Sequence, residues 1–221
     1  MHLIATTLVF TGSGALAGMI GRWLLRRLRR GTDVHTGLCA VIVGVLWGLL
    51  GWRFAGGHLP AWWLPVPLLL IWFAVLLTAT DLRHRRLPDA LTLPAYPIAG
   101  ALLAISAALG GGTSLAVGAV VGAVVFFAVH AAVHLLRPGA LGAGDVKLSG
   151  SLGAVLGAVG WPAMVLAAVL AACCTLLLRL VAPRQVAASW WNGIPHGPGM
   201  LAASCLVVLF PGTALTAAGA S

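Results

Sequence analysis

The sequence predicts an all-α fold, a polytopic membrane bundle of about eight transmembrane helices. Three observations predict it. The 221 residues are 61% hydrophobic and only 8% charged, whereas an ordinary soluble domain carries about 25% charged residues. The apolar residues fall in back-to-back runs close to the ~20 residues that a bilayer crossing requires. The runs are continuously apolar instead of alternating, which selects helices over a barrel.

The first run, 3–24, carries Gly14 and Gly18 at the G-x-x-x-G spacing that lets helices approach closely. The second, 36–54, ends at Arg53. The third, 61–80, enters behind Trp62 and Trp63 and leaves at Asp81. The fourth, 91–109, follows Pro88-Asp89, and Asp89 is well placed as its N-cap. A GGGT loop leads to the fifth, 113–136, which carries Gly118 and Gly122 together with His130 and His134. The sixth, 146–159, carries Gly153 and Gly157 and is short, closer to a tilted or re-entrant helix than to a full span. The seventh is 162–182 and the eighth 199–217. No linker, repeat or second domain divides the chain, so residues 1–221 are expected to form one integral membrane domain.

The loops orient this bundle. Of the 13 lysines and arginines, 12 fall on odd-numbered loops, with Arg53 the exception. Eight spans place those loops on one side, which the positive-inside rule makes cytoplasmic, with both termini outside. Trp52, Trp62, Trp63 and Trp161 then form an outer aromatic belt, and Trp23, Trp190 and Trp191 an inner one. Membrane lipids are therefore partners. The net charge of +9 reads as a topology signal and not as a nucleic-acid surface. The N-terminus lacks the basic n-region of a cleavable signal peptide, because its arginines follow the apolar run.

Cys39, Cys173, Cys174 and Cys205 lie inside apolar runs without C-x-x-C spacing, and are expected to be buried thiols. His130 and His134 are one helical turn apart, but no third ligand accompanies them, so no metal is expected.

The acids carry the functional signal. The chain has no glutamate and four aspartates: Asp33, Asp81, Asp89 and Asp145. Asp81 ends the run LLLIWFAVLLTATD, and Asp145 opens another after LGAGD. A carboxylate at a membrane boundary is costly without a partner or a task. The odd loops also place both on the same face. Two carboxylates in one site share a proton, and a neutral and an ionised member together can activate water and protonate a leaving amine. Asp145 at a helix N-terminus is favoured as the anion, and Asp81 at a C-terminus is disfavoured. The arginines at 83, 85 and 86 oppose this for Asp81, so the two are read as one titrating pair.

Three segments carry a family resemblance: Asp81-Leu-Arg-His-Arg-Arg-Leu-Pro88-Asp89-Ala-Leu-Thr-Leu, Gly142-Ala-Gly144-Asp145-Val-Lys147-Leu, and Pro195-His196-Gly197-Pro198. In this order and on one face, they resemble the type IV prepilin peptidases, membrane aspartic proteases with a G-x-G-D motif. The resemblance covers about residues 70–210. It implies an endopeptidase that removes the leader of prepilin or pseudopilin precursors at the cytoplasmic boundary of a bacterial membrane. Asp81 and Asp145 would be catalytic, Gly142 and Gly144 would be glycines of the catalytic loop, and no cofactor would be needed. Pro88, Asp89 and Lys147 are possible supporting residues, with capping the expected role of Asp89 and interface anchoring that of Lys147. Longer members carry a cysteine-bearing cytosolic domain linked to N-methylation. Here that position holds only RWLLRRLRRGTDVH, so methyl transfer is not expected. A proton-coupled transporter using the two acids as a relay is the alternative, although no repeated halves are visible.

Overall fold

A computed structural model describes residues 1–27, 36–84, 89–137, 141–181 and 196–212, together with Leu215. Among these, every regular element is a helix. The described residues include eight α-helices: α1 (His2–Arg27), α2 (Thr36–Ala55), α3 (Pro65–His84), α4 (Asp89–Ser106), α5 (Gly112–Leu136), α6 (Ala143–Val159), α7 (Trp161–Val181) and α8 (Gly197–Leu209). They correspond one to one with the eight apolar segments.

Glycine decides which helices touch. Gly14 and Gly18 lay α1 on the backbone of α2, where a Cβ on Gly14 would come 2.8 Å from the Val43 carbonyl oxygen. Gly118 and Gly122 of α5 meet Gly153 and Gly157 of α6, each glycine facing backbone atoms of the other pair. Both G-x-x-x-G expectations are therefore realised as packing, which is how helices associate when lipid is as apolar as leucine. The reversal between α4 and α5 also needs glycine: a π-helical turn, Ala107–Gly111, ends at Gly112 with φ 66° and ψ −174°, a backbone that L side chains avoid.

Helices α3, α6 and α8 form the enclosed centre. α6 buries residues on every face, and α8 buries all but two of its 13. The outer helices turn Leu8, Val9, Val120, Val124, Leu166 and Val169 outward, all more than half exposed. That is an apolar surface far larger than a soluble monomer shows, and it marks a helical membrane protein. Among the described residues, five apolar runs are long enough to cross a bilayer: His2–Arg27, Gly37–Ala55, Ala61–Leu82, Leu91–Leu136 and Trp161–Val181. Two helices, α4 and α5, share the fourth of these runs. The central α6 and α8 are shorter, at ~26 Å and ~20 Å for 1.5 Å per residue.

Four expectations need correction. The third segment does not begin as helix at 61: Ala61–Trp63 is a single 3-10 turn, and α3 starts at Pro65, a residue suited to a first helical turn. α3 then runs on to His84, which brings Asp81 inside its last turn. The eighth helix spans 197–209 instead of 199–217, because Pro211 disfavours helical backbone at Phe210. Trp63 is not in the outer belt: it is 0% exposed, and its indole N–H donates to the Val208 carbonyl at 3.4 Å. Cys39 and Cys205 are buried as expected, but Cys173 is exposed on α7, where an apolar sequence reflects lipid contact and not burial. Trp190 and Trp191 lie outside the described residues.

Candidate active site

Three helix ends converge. Asp81 comes from the last turn of α3, Asp145 from the first turn of α6, and Gly197 is the first residue of α8. Asp81 is 6% exposed and Asp145 8%. A Cβ placed on Gly197 would stand 2.9 Å from Asp81 Oδ2 and 3.1 Å from Asp145 Oδ1. Both oxygens therefore touch one point, and they lie no farther apart than the sum of those distances, 6.0 Å. The two acids, 64 positions apart in the chain, share one site. Asp81 Oδ2 is buried and has no hydrogen-bond partner among the described residues. Such an orphan acceptor is costly unless it has a functional use.

The local geometry of α6 explains Asp145. Gly142 is its N-cap in extended backbone, φ −71° and ψ 146°, and its carbonyl accepts from the Asp145 N–H at 3.0 Å. Gly144 lies in the first helical turn, so two of the three residues before Asp145 are helical, and no positive φ is used at Gly142 or Gly144. Gly142 is tight on the acid itself, since a Cβ there would sit 3.4 Å from Asp145 Oδ2. Burial first, and the Asp81 carboxyl second, push Asp145 up to about 7, against a backbone hydrogen bond at Gly142. Desolvation and a like neighbour outweigh the helix dipole, which favours the anion.

Three further side chains fix this corner. Tyr96 Oη on α4 donates to the Lys147 carbonyl, tying α4 to α6 two residues beyond Asp145. His134 Nδ1 donates to the Leu141 carbonyl at 2.8 Å, just ahead of the Gly142 cap. His196, the N-cap of α8, has its Nδ1 at 2.8 Å from Thr175 Oγ1 on α7. His130 packs on Phe126 with ring centres 4.4 Å apart and donates Nδ1–H to its carbonyl at 2.7 Å. The two histidines of α5 are thus packed and hydrogen bonded separately. No group of three potential metal ligands occurs among the described residues.

Of the residues singled out in the sequence, the structure unites Asp81, Asp145 and Gly142, with Gly144 in the same turn. Lys147 is exposed on α6, as an interface anchor would be. Asp89 opens α4, as a helix-starting residue should, but its side chain, like that of Arg83, lies outside what is described. Pro88, Arg85 and Arg86 also lie outside the described residues. Gly197, His196, Thr175 and Tyr96 received no site role from sequence. Gly197 had a signal, as the one residue without a side chain beside the acids in the P-x-G-P turn. Thr175 had a weaker one, a lone hydroxyl in the apolar run AACCTLLL.

A model of the type IV leader peptidase family matches residues 68–178, half of the chain. The match contains both acids and ends before the P-x-G-P turn that the fold brings against them. No curated protein and no solved structure matches the chain.

Proposed function

Because the chain belongs to the type IV leader peptidase family, we propose that it is an aspartic endopeptidase that cuts prepilin-like precursors at the cytoplasmic face of the membrane. The single observation that carries this reading is the meeting of Asp81 Oδ2 and Asp145 Oδ1 over Gly197. One proton shared by two carboxyls supplies both partners of a hydrolysis. The ionised carboxylate takes a proton from water, whose oxygen attacks the scissile carbonyl carbon. The neutral acid protonates the carbonyl oxygen. When the resulting diol collapses, the C–N bond breaks, the amine leaves with a proton, and the pair again holds one proton.

The substrate class is supported by an apolar groove of about 420 Å³ between α2, α3 and α8. Leu82 and Pro198, the neighbours of Asp81 and Gly197, line one end of it. Ile42 and Leu206 line its course, and Leu49 and Phe210 its far end. An apolar helix lying in this groove would carry the bond at its N-terminal end to the two acids. A prepilin-like precursor has that shape: a short polar leader, a cleavage point, then an apolar helix. The family membership supports proteolysis over a transporter's relay for the acids. The cytoplasmic orientation rests on the distribution of basic residues.

The test is co-expression with a small protein carrying a basic leader, a glycine and an apolar helix. The wild-type chain should produce a leader-sized shift, confirmed by mass spectrometry of the new N-terminus. Absence of cleavage across a panel of such precursors would overturn the proposal.

A further inference from the structure

Gly197 must stay seated against both acids, yet its own helix has few means to hold it there. Pro198 follows it and has no N–H, and the His196 side chain makes no capping bond to its own helix. The hold comes from α7. Thr175 Oγ1 donates its proton to the Ala171 carbonyl at 2.8 Å, so toward His196 it can only accept. His196 Nδ1 must then be the protonated ring nitrogen, donating across 2.8 Å. Gly199 presses on the same place: a Cβ there would stand 2.6 Å from Thr175 Oγ1 and 2.7 Å from the Ala171 oxygen. One threonine thus receives α8 from both sides of Gly197 and Pro198.

We propose that the His196–Thr175 hydrogen bond is a latch, and His196 a positioning residue that holds the first turn of α8, with Gly197, against Asp81 and Asp145. This rests on the proteolytic reading above. The ring is half-buried, and burial together with His130, whose ring centre is 6.4 Å away, pushes its pKa down. The donor is thus an uncharged imidazole, which adds no positive charge beside the acid pair. A latch acts on geometry, and a misplacement of about 1 Å at reacting groups costs on the order of 10²-fold in rate.

The experiment measures kcat and KM for cleavage of the prepilin-like precursor by the full-length protein in membranes, with folding followed by thermal unfolding. Thr175→Val keeps the shape of the side chain and loses the acceptor; it should lower kcat about tenfold or more with KM little changed. Thr175→Ser keeps the acceptor and should retain kcat within about threefold of wild type. His196→Ala should behave like Thr175→Val, and His196→Asn, which can present an N–H at the same reach, should recover much of the loss. The double variant His196→Ala/Thr175→Val should be no slower than the slower single. A wild-type kcat for well-folded Thr175→Val, a change confined to KM, or multiplicative losses in the double variant would each overturn the latch. A wild-type enzyme that cleaves nothing would overturn the proteolytic reading itself, and the latch with it.

Discussion

At the scale of single residues, the site depends on one absent side chain. Gly197→Ala would put a methyl group 2.9 Å from the Asp81 carboxyl oxygen and 3.1 Å from that of Asp145, closer than van der Waals contact allows. The acids must part or the first turn of α8 must lift. The variant should insert and fold near normally yet lose about 10²-fold or more in cleavage; near-normal cleavage would show that the three groups are not held together during the reaction. The protonation of Asp145 makes a second prediction. Its carboxyl is raised to about 7, so below that pH the pair retains a proton to give the carbonyl oxygen, and above it the proton is lost. Cleavage should therefore fall as pH rises through about 7, a limb to be read from kcat at fixed ionic strength in permeable membranes. A flat profile from pH 6 to 9 would contradict the assignment. The acids themselves were legible in sequence because the chain spares so few. The role of Gly197 was not, because a glycine between two prolines reads as turn chemistry until its neighbours are known.

At the scale of elements, each apolar run corresponds to a helix among the described residues, and the glycine spacing gave two of the main helix pairs. Boundaries were less legible. Helix α3 extends past Asp81 and α6 begins at Ala143, so both acids sit within terminal turns and not in the loops beside them. Such ends are set by tertiary support, as where Tyr96 bonds the Lys147 carbonyl, and not by local propensity. Trp63 was misplaced for a similar reason: its position near a span end suits an interface anchor, and only packing against α8 makes it core. The α5–α6 pair holds the helix that carries Asp145, through backbone contacts at Gly118, Gly122, Gly153 and Gly157. Gly157→Ala should therefore destabilise by about 1–3 kcal/mol, the usual cost of overpacking, measurable as a lowered unfolding temperature in detergent. An unchanged temperature would mean that the pair is looser than described.

At the scale of the whole molecule, the chain brings three motifs to one end of the bundle by alternating helix direction. Asp81 ends a helix, Asp145 and Gly197 begin helices, and Thr175, which holds His196, lies near the end of α7. This arrangement was legible in the placement of basic residues on alternate loops. The partners of the groove were not, because α8 is distant in sequence from α2 and α3. If the site faces the cytoplasm, a single cysteine at Gly160, in the α6–α7 turn, should react with an impermeant thiol reagent in intact cells. One at Arg137, near the site end, should react only after permeabilisation. The background is a cysteine-free chain, and the reverse labelling pattern would invert the molecule.

The central claim is that Asp81 and Asp145 act as one unit. It is tested most directly by measuring leader cleavage for Asp81→Asn, Asp145→Asn and the double variant, with membrane insertion confirmed for each. Members of one catalytic unit are grossly non-additive. Each single variant should therefore lose cleavage altogether, and the double variant should be no worse. Near-wild-type processing by either single variant would contradict the account.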